Sequence, residues 1–246
     1  LTGQPNIFTV HTGEHNADLS ASVKRLREGG QWTKQRVVQI IPTAEKVDAR
    51  VYTAHMSLIK PPNQAFYPMT IVNAEVGAAY EEASKILLEH KPFNEADYVL
   101  FIEHDNIPPP WGLIKLLEHF QKRPDLDGIS GLYFTKGVGG VAQIWGDIKD
   151  PLVNYRPQVP DKNGGLVETY GIGQGFALWK MDVFRKLKEK KIERPWFKTA
   201  KSEKDRGIGT QDLFFANLAR THTGAKMAVA CDVPVGHIDF DSGRIW

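Results

Sequence analysis

Residues 98–110, Tyr-Val-Leu-Phe-Ile-Glu-His-Asp-Asn-Ile-Pro-Pro-Pro, constrain this chain more than any other segment. The five apolar or aromatic residues from Tyr98 to Ile102 read as a strand buried on both faces of a parallel sheet. The run stops at Glu103, Asp105 follows two positions on, and three prolines from Pro108 end regular structure. Carboxylates at the carboxyl end of a buried strand lie where open α/β sheets bind their ligands. Two acids one residue apart, held between a strand and a stiff proline loop, can share one hard divalent cation through oxygen ligands.

A chain of 246 residues can bury one substantial core, as a single α/β domain or a domain with an arm. Its 41% hydrophobic and 24% charged content is ordinary for a globular protein. A formal charge of +2, with no basic run interleaved with aromatics, argues against nucleic acid as a partner. The densest basic stretch, residues 185–191, reads as a solvated helix face anchored by Leu187 and Ile192. No apolar run reaches the length of a membrane span. The single cysteine, Cys231, rules out an intramolecular disulfide and a cysteine-rich zinc site; within the apolar run 227–231 it reads as a small core residue. No signal-peptide pattern or glycosylation acceptor is present, so the expected compartment is reducing and cytoplasmic. The start at Leu1 reads as a trimmed terminus.

Residues 1–35 differ from the rest and read as an N-terminal extension packed on the main domain, residues 36–246. Residues 6–10 suit a short strand, and Leu19, Val23 and Leu26 form a helical stripe that Gly29-Gly30 ends. From Arg36 the pattern becomes regular. Residues 37–41 form a strand leading to Pro42-Thr43. A helix with Val47, Val51, His55 and Leu58 on one face comes next, and Pro61-Pro62 stops it. Residues 75–89 read as a helix, residues 111–120 as another, and residues 127–134 and 141–145 as strands around a glycine-rich turn. This alternation predicts a mostly parallel, doubly wound sheet flanked by helices.

Three later segments carry candidate chemistry. Gly171-Ile-Gly-Gln-Gly175 follows a strand over 166–170, but lacks the third glycine of a dinucleotide fingerprint one position beyond Gly175. It reads either as backbone that a ligand approaches closely, before a helix starting near Lys180, or as a turn needing positive φ. Asp212 falls in the first turn of a helix with Thr210 as candidate N-cap, which by position alone is a helix-dipole acid. His237 lies just past the strand containing Cys231, where a lone histidine is more often structural than a ligand. A zinc-hydrolase His-Glu-x-x-His and a Gly-x-Ser-x-Gly nucleophile elbow are both absent from the sequence.

Taken in order over roughly residues 36–240, these segments resemble the GT-A fold of nucleotide-sugar-dependent glycosyltransferases, family 2 type. The resemblance implies an α/β, Rossmann-like sheet. Pro42 and Thr43 would lie against the nucleotide base, with Glu75 and His104 helping to shape the nucleotide-sugar pocket. Glu103 and Asp105 take the place of the family's Asp-x-Asp motif, and His237 that of the histidine completing the metal shell, for Mn²⁺ or Mg²⁺. Gly173 and Gly175 fall on the acceptor side, and Asp212 takes the place of the catalytic base. Two departures stand out: Glu103 replaces the first metal-motif Asp, and Gln211 replaces the first acid of a Glu-Asp pair.

The resemblance further implies transfer from a nucleoside-diphosphate sugar to a hydroxyl of a glycan or other acceptor, with inversion. Asp212 would remove the acceptor proton. Trp145, Trp179 and Trp196 are candidates for sugar stacking, although core or rim positions are the simpler reading. Glu75 likewise has a simpler reading, as an acid at a helix N-terminus. Two rivals remain: a sugar nucleotidyltransferase, for which Pro42-Thr-Ala-Glu-Lys46 lacks a glycine-rich phosphate loop, and a catalytically silent glycan-binding or scaffolding module on the same fold.

Overall fold

The computed structural model describes the backbone of residues 6–9, and residues 35–246 apart from 45, 63, 151, 153 and 200–208. In chain order its elements are β1 (Asn6–Thr9), β2 (Val37–Thr43), α1 (Ala49–Ser57), β3 (Phe66–Val72), α2 (Val76–Glu89), a 3₁₀ turn (Phe93–Glu95), β4 (Tyr98–Ile102) and β5 (Asn106–Ile107). Then come α3 (Gly112–Lys122), β6 (Gly128–Leu132), β7 (Ile144–Asp147), β8 (Leu166–Ile172), β9 (Phe176–Lys180), α4 (Met181–Glu189), α5 (Gln211–Thr223), β10 (Met227–Pro234) and β11 (Gly236–His237).

Nine of the described strands form one sheet in the order β1-β3-β2-β4-β9-β6-β10-β8-β7. Its core is parallel, β3 and β4 both pairing with β2, and β6 pairing with β10. Between these parallel groups lies β9, antiparallel to both β4 and β6. The fold is therefore α/β with a mixed sheet. Neither β9 nor β3 was expected: residues 173–179 read as a glycine segment running into a helix. The N-terminal strand β1 pairs antiparallel with β3. The helical stripe expected over 19–26 lies outside the described residues.

β4 shows why the 98–102 run is apolar without alternation. Val99 and Phe101 pack into one core with α2, α4 and α5, whereas Leu100 and Ile102 pack into a second core with α3. A strand covered on both faces has no solvent side, so period-2 alternation disappears. The first core is aromatic. Phe101 meets Tyr80 edge-on at 4.9 Å, Phe197 stacks on Phe215 at 4.3 Å, and Trp179 meets Phe215 at 5.0 Å. Trp179 and Trp196 are buried in it and are core residues rather than sugar platforms. Each fully buried side chain of this size contributes about 1.5–3 kcal/mol. Such packing on both faces fixes the carboxyl end of β4 in space.

Candidate functional site

β2 and β4 are parallel neighbours, with Val37 opposite Tyr98 and Ile40 opposite Phe101, so their carboxyl ends leave the same edge of the sheet. A cleft of about 360 Å³ opens there, lined by Pro42, Thr43, Ala44, Asn73, Ala74, Val76, Glu103, His104, Asp105 and Gln211. Just beyond β4 the chain is pinned. Glu103 N–H donates to Gly175 O (3.1 Å), and β5 pairs antiparallel with β11 so that Asn106 faces His237. Ile238 N–H also donates to Asp105 O at 2.8 Å. This two-stranded ladder brings His237 beside Asp105, although the two lie far apart in sequence.

Asp105 Oδ2 lies 2.6 Å from Lys136 Nζ and 3.3 Å from His237 Nε2. Burial pushes its pKa up, but the hydrogen bonds and charges of His237 and Lys136 outweigh that and hold the carboxyl below the usual range. Glu103 moves the other way. Burial first, then the carboxylates of Asp105 and Asp212, push it up to about 8, against the opposing hydrogen bond from Tyr80 (2.9 Å to Oε1). Asp212 is also raised by burial, opposed by hydrogen bonds from Thr210 and from the Leu213 amide (2.8 Å).

His237 Nδ1 lies 2.8 Å from Phe134 O, a pure acceptor, so that nitrogen carries the proton. Nε2 then faces a carboxylate oxygen. Asp105 Oδ1 is buried without a hydrogen-bond partner among the described residues. Asp105 and His237 thus make two donors of the right chemistry for a divalent cation. Among the described residues, however, no three His, Cys, Asp or Glu side chains form a metal cage, and Glu103 is turned to Tyr80. Further oxygens would have to come from Glu103 after rearrangement, or from a bound diphosphate.

The remaining candidates divide. Pro42, Thr43 and His104 line the cleft. Glu75 does not: it is the N-cap of α2, accepting from Ala78 N (3.0 Å) and from Thr199 Oγ1 (2.8 Å). A carboxylate bound to a backbone N–H at a helix start is held there by the dipole, while its chain neighbours Ala74 and Val76 line the cleft. Gly173 and Gly175 are buried, and neither has positive φ. A β-carbon on Gly173 would strike the Tyr133 hydroxyl, and one on Gly175 would lie 2.5 Å from Asn106 Oδ1. The lack of a side chain at these two positions makes room for Tyr133 and Asn106. Asp212 is 9% exposed, and Gln211 is the member of the pair that lines the cleft. Asp212 therefore does not stand at the mouth of the cleft. Thr210 is the α5 N-cap by position, without a side-chain capping bond.

Sequence reasoning missed Lys136, Tyr80 and the aromatic cover formed by Phe240, whose ring stacks on His104 at 5.6 Å. Tyr80 was legible as an inward position on α2, one residue from Ala79. Lys136 sits in a glycine-rich turn, and nothing in that local pattern points to Asp105.

No protein-family model and no curated protein matches the sequence. Among solved structures, the crystal structure of A197 from STIV is similar to this chain with a TM-score of 0.58 at 16% identity. The match covers 86% of this chain and 93% of that one. The two share the mixed α/β sheet with its parallel core and flanking helices; at this identity the likeness speaks to fold alone.

Proposed function

We propose that the protein is a metal-dependent glycosyltransferase that moves a sugar from a nucleoside-diphosphate sugar to an acceptor hydroxyl. The observation that carries the reading is the cleft itself. It joins the exit of β2 to that of β4 and ends on Asp105, whose Oδ1 is buried without a hydrogen-bond partner among the described residues. In this reading Pro42, Thr43 and Asn73 bound the nucleotide, and Asp105 and His237 hold Mn²⁺ or Mg²⁺. When bound, such a cation supplies positive charge that offsets the charge growing on the leaving diphosphate. Asp212 takes the acceptor proton. Its burial raises its basicity towards the working pH, as a general base requires. Access past Gln211 is needed, and acceptor binding is the step that would supply it.

The test is Asp212→Asn, which keeps size and hydrogen bonding while removing basicity. With a panel of nucleotide sugars, turnover is expected to fall by about 10²–10⁴-fold, with nucleoside-diphosphate affinity little changed. Unaltered turnover would remove Asp212 from the chemistry. A second reading, a silent binding module, is favoured by the lysine on Asp105 and by the lack of a ready three-ligand cage among the described residues. That module would bind nucleotide diphosphates no better with Mn²⁺ than without it.

A further inference from the structure

Lys136 is the lysine or arginine that pairs with a cleft carboxylate among the described residues, and its partner is Asp105. The ammonium also lies 5.7 Å from the Phe240 ring centroid, so it rests between a carboxylate and an aromatic face at the cleft's edge. Its backbone belongs to a turn that is tight at the base and open at the tip. Thr135 N–H donates to Val141 O, and Val141 N–H to Thr135 Oγ1, each at 2.9 Å. Gly137 and Gly139 have φ of 103° and 78°, with nothing within 4 Å of an added β-carbon. The base fixes where the lysine starts, and the open tip lets its four-carbon stem swing without breaking packing.

We propose that Lys136 is a donor-phosphate ligand held in reserve: it occupies Asp105 in the empty site and transfers to the donor diphosphate when a divalent cation takes that carboxylate. The inference rests on the glycosyltransferase reading above. Its physical basis is competition for one carboxylate. Asp105 Oδ2 already meets Lys136 at 2.6 Å and His237 at 3.3 Å, so a divalent ion on either oxygen of that carboxylate repels the ammonium at close range. The displaced ammonium is still tethered to the cleft edge, and a diphosphate on that cation is the nearest anion it can reach. A lysine binds phosphate as a point charge and needs no fixed fork geometry, which suits a group that moves between two partners.

Two effects of opposite sign are expected for Lys136→Gln. Mn²⁺ alone should bind more tightly, because its competitor is gone. Nucleoside diphosphate with saturating Mn²⁺ should bind more weakly, by about tenfold, a single phosphate contact's worth. Lys136→Arg should restore much of the second affinity. Calorimetric titration of Mn²⁺, and of nucleoside diphosphate in its presence, reads both effects on the intact chain. A thermal melt shows that each variant is folded. A lysine that merely pins the turn would lower the melting temperature and leave the ratio of the two affinities unchanged, which overturns the proposal. Wild-type binding that Lys136→Gln leaves untouched overturns the role of Lys136 alone. If the wild-type protein binds no nucleoside diphosphate with Mn²⁺, both this role and the underlying reading fall.

Discussion

His55 links the stability of the fold to the placement of the β4 exit that carries Asp105. Its Nε2 lies 3.1 Å from Asn106 O, tying α1 to β5 directly behind Asp105. Burial holds its pKa down to about 4 from 6.5, against the pull of the Asn106 carbonyl and with a small contribution from His104. The unfolded chain therefore takes up this proton near pH 6.5, and the folded chain only near pH 4. Acidification through that window favours the unfolded state. The stabilisation is fully present above the unfolded value and is lost as pH falls towards the folded one. The full gap corresponds to roughly 3 kcal/mol, of which about 2 kcal/mol disappears between about pH 7.5 and about pH 5. Partial solvent exposure of the ring trims both figures. Urea unfolding of the wild type and His55→Gln over this range isolates the effect from other titrating groups. The variant should lose about 2 kcal/mol less stability on acidification than the wild type. Parallel pH profiles for the two proteins would refute a buried, neutral His55.

Two further substitutions separate structural residues from site residues. Glu75→Ala removes the α2 cap and should cost on the order of 1 kcal/mol in chemical denaturation, while nucleotide affinity stays at the wild-type level; a large affinity loss would return Glu75 to the pocket. Gly175→Ala places a methyl 2.5 Å from Asn106 Oδ1 and 2.7 Å from Tyr133 Cζ. It should destabilise by about 1–3 kcal/mol, whereas Gly209→Ala, with nothing among the described residues within 4 Å of the added carbon, should not. Equal stability of the two alanine variants would contradict the packing role of Gly175.

The parts of the site legible in the sequence are those set by continuous burial. An apolar run ending in acids fixes both a strand and its exit, so β4, Glu103 and Asp105 could be read directly, and the Pro42-Thr43 exit beside them. β9 was not legible, because Phe176–Lys180 follows glycines and precedes a helix, and a five-residue apolar run fits either element. β3 contains Pro68, which argues against an interior strand. Among the described residues β1 pairs with Met69–Val72, so Pro68 lies beyond that ladder. The roles of Glu75, Gly173 and Gly175 depended on which atoms come near them in three dimensions, and Lys136 meets Asp105 only through tertiary packing.

Binding of a nucleoside diphosphate in the cleft through a cation on Asp105 is read by calorimetric titration of nucleoside diphosphates onto the wild type and Asp105→Ala, each with and without Mn²⁺. The expected result is wild-type binding that requires Mn²⁺ and disappears in Asp105→Ala while the variant stays folded. Wild-type affinity indifferent to Mn²⁺, or manganese-dependent binding that survives in Asp105→Ala, would contradict it.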